Sequence, residues 1–263
     1  MLISFLVGIA IEAVTLKNLS GVLQHVELTP SQCRVLYDEL GRLDWERYFR
    51  RALQTEGCEG LWCFETVNRD PRQGWEILVA SEPSGGSPPR PKSVLEAGGR
   101  ALIGLYLSPP GKVLRLNDEV AYCDQLERAL KLMDKPFPEG PAACGKNDEN
   151  VPWYHLMSRW IVVGGRSAMA CYRAIGYRNA MQVALALKAY RAKRGQYPGS
   201  LAALSAYPGW KLPLDPFSGK PFVYHRKGAG FVLYSWSEDL DDDGGRPFAY
   251  FGLNGDWVWE FKR

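Results

Sequence analysis

Near its carboxyl end the chain reads Tyr234-Ser-Trp-Ser-Glu-Asp-Leu-Asp-Asp-Asp-Gly-Gly245, an alternating segment followed by a dense acidic loop. Carboxylates this crowded repel one another unless a cation or open water screens them. Asp239, Asp241 and Asp243 alternate and a glycine follows, which is the D-x-D-x-D-G spacing of calcium loops. The spacing alone favours a metal loop and a solvated turn equally. It is no EF-hand, because Tyr250 occupies the place of the closing glutamate.

The residues on both sides of this loop predict a small sheet. Residues 221–225 and 231–236 are strand-like and are separated by a glycine-containing turn. Residues 256–261 predict a third strand beyond the loop. Strands so close in sequence pair most simply as antiparallel neighbours, so we expect a three-stranded meander.

A long helix is predicted ahead of the sheet, over residues 153–194. Gly164, Gly165 and Gly176 weaken it, and Gly195 is suited to its C-terminal cap. Its last section predicts one apolar face, made of Ala180, Val183, Ala184, Leu187 and Tyr190, with Lys188, Arg191 and Arg194 elsewhere. One helix lying on a three-stranded sheet is an α+β arrangement.

The sequence pattern over residues 1–150 predicts an array of helices, whose role is unknown. Thr29, Pro30 and Gln32 form a capping-box pattern, and Asp44 can cap the next helix. Proline- and glycine-rich loops are predicted at 81–93 and 134–152. We place a domain boundary in the second loop, which gives a helical domain over 1–150 and an α+β module over 151–263.

The N-terminus is apolar from Met1 to Leu16, apart from Glu12. This stretch is shorter than the roughly 20 residues that span a bilayer. It also lacks the basic start and the small-residue cleavage site of a signal peptide. Because apolar residues continue at helical spacing through Ile11, Val14 and Leu23, we expect a buried helix and no membrane span. An anchor or signal upstream of Met1 remains an open alternative.

Composition narrows the functional class. The chain has 263 residues, 46% of them hydrophobic and 23% charged, as in folded soluble proteins. A net charge of +3 does not indicate a nucleic-acid partner. Six cysteines without a C-x-x-C pattern and only three histidines argue against a zinc site.

A series of short signals gives the C-terminal third a family resemblance. They are Gly195-Gln-Tyr-Pro198, Ser200-Leu-x-x-Leu204, Leu214-Asp-Pro216, Gly219-Lys-Pro221, Tyr224, Gly230-Phe-x-Leu-Tyr-Ser235 and Asp256. In this order they resemble the C-terminal globular region of the major pseudopilin of type II secretion systems. A set of uncharacterised exported bacterial proteins carries the same module behind a helical region. The resemblance covers about residues 175–263.

This resemblance implies that the acidic loop binds calcium and holds the C-terminal segment on the sheet. Asp239 matches the first acidic ligand and Asp256 the carboxylate before the last strand. The positions between them, Asp241, Asp242 and Asp243, are further candidates, as is the carbonyl of Trp236. Hard oxygen ligands suit calcium. The chain departs from the family in lacking its leader and N-terminal membrane helix, so we do not expect it to polymerise into a pseudopilus.

Several other acidic residues and histidines have either a catalytic or a structural interpretation. Asp215 could be catalytic, but an aspartate before proline more often caps its own turn. His225 and His155 have no nucleophile or metal motif beside them, since G-x-S-x-G, H-E-x-x-H and the P-loop pattern are absent. Three helical glutamates, Glu12, Glu39 and Glu46, could be buried acids, but surface ion pairs are the simpler expectation.

The favoured function is that of a non-enzymatic, extracytoplasmic structural or adaptor protein, periplasmic or associated with the cell envelope, with protein partners there. The alternative is a metal-dependent hydrolase with its site between the helical part and the sheet, using converging acids and His225 or His155. A ligand-binding helical domain is a third option. An aromatic cluster after the loop is expected in the sheet's core: Phe248, Tyr250, Phe251, Trp257 and Trp259.

Overall fold

A computed structural model describes residues 2–73, 94–137, 139–140, 152–160, 165–205, 209–247 and 255–262. Within these ranges the chain forms eight helices and one three-stranded sheet. The helices are α1 Leu2–His25, α2 Pro30–Gly41, α3 Trp45–Arg69, α4 Val94–Leu107, α5 Lys112–Leu132, α6 Leu156–Trp160, α7 Gly165–Arg194 and α8 Leu201–Ser205. The strands are β1 Val223–Lys227, β2 Gly230–Ser235 and β3 Trp257–Phe261. The α+β class is confirmed. The predicted loop at 81–93 lies outside the described residues.

The predicted helix starts are confirmed. The Thr29 hydroxyl accepts from the N–H of Gln32 at 3.3 Å, and the Gln32 side chain accepts from the N–H of Thr29 at 2.9 Å. The Asp44 carboxylate accepts from the N–H of Arg47 at 3.0 Å and begins α3. Each cap satisfies backbone donors that the first helical turn leaves free.

The sheet is the predicted antiparallel meander, in the order β1-β2-β3. Leu233 in the central strand lies opposite Tyr224 on one side and Trp259 on the other. The turn before β1 is held by the buried carboxylate of Asp215, which accepts from the hydroxyls of Ser218 at 2.7 Å and Ser235 at 2.8 Å. This is the structural turn that the Asp-Pro sequence predicted.

Helix α7 lies at the centre of the fold. It packs against α1 and α2 on one side and against β2 on the other. The expected outward position of Lys188 is therefore wrong: its side chain is buried, and its ammonium group donates to the carbonyl of Val26 at 3.1 Å. Every residue of α7 from Asn179 to Ala189 is buried, so amphipathic spacing does not describe this section of the helix.

The long helix predicted over 153–194 is divided. Helix α6 ends at Trp160 and α7 begins at Gly165, while residues 161–164 lie outside the described ranges. Gly176 lies inside α7 and does not end it. Gly195 follows with φ of +77°, the left-handed conformation that glycine adopts readily at a helix C-terminus.

Two large apolar clusters form the core. One joins α1 and α2 to α7 and the sheet, through residues such as Leu23, Cys33 and Phe231. The other joins α1, α3, α4, α5 and α7, through residues such as Phe49 and Tyr122. Since α1 and α7 contribute to both clusters, the N-terminal helices and the sheet share apolar contacts. The boundary between residues 150 and 151 stays a prediction.

Helix α1, Leu2–His25, extends beyond the apolar stretch that ends at Leu16. It has 24 residues and contains an 18-residue segment with a mean hydropathy of 1.7, of which 22% is buried, so it is long and apolar enough to cross a membrane. Leu16 and Leu23 are buried as expected, but Ile11 and Val14 are exposed. The argument from insufficient length is therefore wrong. Because signal sequences and core helices share these properties, the absence of a span stays a prediction.

Candidate functional site

The acidic loop between β2 and β3 is tightly wound. Ser237 and Leu240 have φ of 62° and 60°, and Gly244 and Gly245 have φ of 68° and 79°. Four residues with left-handed backbone in so short a segment turn the chain sharply. Two of them are not glycine, the residue that adopts this conformation at the lowest cost. The loop is therefore held in its shape by its own contacts.

Those contacts connect the loop with the segment that enters β3. One oxygen of Asp239 accepts from the N–H of Gly255 at 3.3 Å. One oxygen of Asp256 accepts from the N–H of Gly245 at 2.7 Å, and the N–H of Asp256 donates to the carbonyl of Arg246 at 2.8 Å. Two of the predicted ligands, Asp239 and Asp256, thus lie where the loop meets the C-terminal segment 255–262, which we call the tail.

Asp256 has an unusual environment for a carboxylate. It is fully buried, and its Oδ1 atom has no hydrogen-bond partner, as is also true of the buried Oδ2 atom of Asp243. Burial raises the pKa of Asp256, and the nearby carboxylates of Asp242 and Asp243 raise it further, while the backbone N–H groups of Gly245 and Asp243 oppose the rise. The other acids of the loop therefore lie close enough to Asp256 to act on its charge.

The remaining predicted ligands lie at different depths. Asp242 is exposed, and its Oδ1 atom accepts from the N–H of Gly244 at 3.0 Å and from the Tyr234 hydroxyl at 3.1 Å. Asp241 is exposed. Trp236 is half-buried, with the Lys220 ammonium 4.6 Å from its ring centroid.

These donors fit calcium in part. No group of three Asp, Glu, His or Cys side chains lies close enough to hold a metal ion among the residues that the structure describes. Two unpartnered carboxylate oxygens, on Asp243 and Asp256, are nevertheless of the hard type that calcium takes, and backbone carbonyls or water can complete its shell. An ion would require the exposed aspartates to move inward.

A pocket of about 570 Å³ adjoins the tail, between α1, α7 and β3. Its lining combines apolar and aromatic side chains with a few charged groups: Glu12, Leu16, Arg173, Tyr177, Glu238, Asp256, Trp257 and Trp259. It lies between the helical part and the sheet, where the hydrolase alternative placed its site. Asp256 therefore contributes to both the loop and the pocket.

Glu12 is buried, which corrects the expectation of a surface ion pair. It is 8% exposed, and neither carboxylate oxygen has a hydrogen-bond partner. Burial raises its pKa to about 7, and the Arg178 guanidinium and the Trp45 indole N–H nearby offset part of that rise. By contrast Glu39 pairs with Arg42 at the surface. The sequence did contain a signal for this burial, because Glu12 is the one acidic residue in the apolar stretch 1–16.

Aromatic rings and one ion pair complete the pocket. The ring centroid of Tyr177 lies 5.0 Å from that of Trp257 and 5.4 Å from that of Trp259. Arg173 forms a salt bridge with Glu238, so its charge is balanced locally. Of the aromatic cluster expected in the sheet's core, Trp259 is buried and Trp257 half-buried, while Phe248, Tyr250 and Phe251 lie outside the described residues.

The histidines do not join these acids. His155 is buried and its Nε2 atom lies 3.0 Å from the Oδ1 atom of Asn117. His225 is exposed on β1. Neither lines the pocket that contains Glu12.

No protein-family model, no curated protein and no solved structure matches this chain. The resemblance to the pseudopilin module therefore stays a prediction.

Proposed function

We propose that the chain is a non-enzymatic structural or adaptor protein of the cell envelope, outside the cytoplasm, whose C-terminal part is a pseudopilin-like module stabilised by calcium. The single observation that carries the proposal is the fully buried Asp256, which has one unpartnered oxygen and lies among the loop acids. A buried carboxylate without enough donors is costly unless a cation compensates its charge.

Calcium would be held by Asp243 and Asp256, joined by Asp239, Asp241 or Asp242 and by backbone carbonyls such as that of Trp236. When bound, the ion supplies positive charge and up to eight coordination positions. The chain's own hydrogen bonds already place the tail against the loop. Neutralising the repulsion among the acids would fix this contact and leave β3 as a stable surface for protein partners.

The test is thermal melting of the full chain in calcium chloride and in EDTA. For a site with Kd of ~0.1 mM, 10 mM calcium adds about 2.7 kcal/mol. In a protein of this size that corresponds to a rise in Tm of roughly 5–10 °C. Asp256→Asn keeps an acceptor for Gly245 but removes the charge, so it should abolish the rise.

The matched control is Asp124→Asn, since Asp124 is an exposed acid on α5, remote from the loop in sequence. It should melt like the wild-type chain under both conditions. Equal Tm values for the wild-type chain in calcium and in EDTA would refute the calcium proposal. A calcium response that Asp256→Asn leaves unchanged would refute the assigned ligand.

The second candidate is a metal-dependent hydrolase. It is favoured by the pocket between the helices and the sheet, where Glu12, Glu238 and Asp256 supply three carboxyl groups. The check is hydrolysis of p-nitrophenyl acetate and p-nitrophenyl phosphate with added manganese, zinc or calcium. Turnover that Glu12→Gln or Asp256→Asn abolishes would replace the structural proposal with this one.

A further inference from the structure

The pocket beside the tail has features that calcium binding would not use. Its volume, about 570 Å³, lies within the range of roughly 300–1,000 Å³ typical of small-ligand sites. Most of its lining is aliphatic or aromatic. Its charged groups are three acids and one arginine, namely Glu12, Glu238, Asp256 and Arg173. Acidic groups are therefore in excess, which favours a cationic ligand over an anionic one.

Glu12 is the group in this pocket that most needs a partner. It is more than nine-tenths buried, and both of its oxygens lack a hydrogen-bond donor. Arg178 and the indole N–H of Trp45 are close enough to lower its pKa. The guanidinium donates to the carbonyl of Leu43 and to the side chain of Asn179 instead, and the indole nitrogen has no hydrogen-bond partner at all. The carboxylate is therefore free to accept hydrogen bonds from a molecule in the pocket.

The aromatic wall also suits a cation. Tyr177, Trp257 and Trp259 cluster at one side of the pocket, with ring centroids 5.0–6.4 Å apart. The negative faces of such rings attract ammonium groups, and the rings also provide apolar surface for an organic body. The positive charge of Arg173 is balanced by Glu238, so it opposes a cation only weakly.

We propose that this pocket binds a small organic cation with an apolar body, of the primary alkyl- or arylalkylammonium class. The ammonium group donates to Glu12, and the body contacts Tyr177 and the tryptophans. A neutral molecule would not compensate the buried carboxylate. A bare metal ion would gain little from the aromatic wall, since its hydration is lost without enough oxygen ligands to replace it.

The test uses 2-phenylethylammonium and its neutral analogue 2-phenylethanol as probes. Each is titrated into the full chain at pH 8 with EDTA, and binding is followed by calorimetry and by fluorescence of the tryptophans. The ammonium probe should bind about tenfold or more tightly than the alcohol, because its hydrogen bond to Glu12 is charge-assisted. Glu12→Gln should remove this preference.

Two further variants keep the test decisive. Glu127→Gln changes an exposed glutamate on α5 and should preserve the preference for the ammonium probe. Ala13→Phe adds a ring at an exposed position of the pocket wall and should weaken both probes, without touching the charge of Glu12. Because EDTA removes calcium, failure of the calcium proposal leaves the result unaffected. Absence of saturable binding, equal affinity for the two probes, or a preference that survives Glu12→Gln would overturn the inference.

Discussion

Asp215 and Asp256 are both buried aspartates next to the sheet, yet their surroundings differ. The carboxylate of Asp215 accepts from the hydroxyls of Ser218 and Ser235 and from the N–H of Phe217. Asp256 has an oxygen with no donor and lies among other acids. The comparison separates a carboxylate that serves the fold from one whose charge still needs a partner.

The helical part contains the same contrast. Asp118 is fully buried on α5 and accepts from the Tyr106 hydroxyl at 2.7 Å and from the N–H groups of Met157 at 2.9 Å and Ser158 at 3.2 Å. Glu12 on α1 is almost as deeply buried and accepts no hydrogen bond. We expect the satisfied acids to be needed for stability and the unsatisfied ones to be needed for binding.

The largest effect is expected for Asp118→Ala. This change leaves a buried tyrosine hydroxyl and two backbone N–H groups without their acceptor, which should lower the free energy of unfolding by roughly 3–5 kcal/mol. Urea denaturation measures it. Asp124→Ala, at an exposed position of the same helix, should change stability by no more than about 0.5 kcal/mol. Equal losses in the two variants would contradict the structural role of Asp118.

The second-largest effect is expected from Glu12, which should make the free energy of unfolding depend on pH. In the folded chain its carboxyl keeps its proton up to about pH 7, whereas a free carboxyl loses it near 4.5. Between these values the folded state binds more protons, so stability falls as the pH rises. The loss is roughly 3–3.5 kcal/mol, since the two pKa values differ by about 2.5 and a difference of one corresponds to about 1.4 kcal/mol.

The measurement is urea denaturation from pH 4.5 to 7.5. Because Glu12→Gln cannot ionise, the stability of the wild-type chain relative to this variant should fall across that interval. Using the difference between the two proteins removes the contributions of Asp256 and the other acids that both retain. A difference that does not change with pH would mean that Glu12 is not desolvated in the folded chain.

The smallest effect is expected for the isosteric changes of Asp256 and Asp215. In EDTA, Asp256→Asn should leave stability unchanged or raise it by up to about 1 kcal/mol, because repulsion from Asp242 and Asp243 is removed. Asp215→Asn should lower it, since one carboxylate oxygen is replaced by a group that cannot accept from Ser218 or Ser235. Denaturation of both variants checks this, and a loss for Asp256→Asn as large as that for Asp215→Asn would remove the distinction.

Much of the fold was predictable from neighbouring residues. The Thr29 capping box and the Asp44 cap depend on atoms within three or four residues, so their sequence patterns contain the whole interaction. The Asp215 turn is local through Phe217 and Ser218, and Ser235 adds a hydrogen bond from a distant part of the chain. The alternation of the strands and the short turn between β1 and β2 likewise predicted the sheet. The spacing of Asp239, Asp241 and Asp243 predicted an acidic loop, but it did not decide whether the loop holds an ion.

Contacts between distant segments decided the rest. On α5 the apolar Val120 is exposed while the charged Asp118 is buried, because Tyr106 and α6 supply the hydrogen bonds of Asp118. Lys188 is buried because α7 is covered on two sides. No local pattern specifies which elements will surround a helix.

The sequence by itself determined the helix caps, the tight turns, the antiparallel meander and the concentration of acids after β2, because each depends on residues adjacent along the chain. Only the tertiary structure showed that one oxygen of Asp256 has no donor and that Glu12 is buried in a pocket formed with α7 and β3. Burial and the lack of hydrogen-bond donors arise from segments far apart in sequence, and these determine how strongly a carboxylate needs a cation.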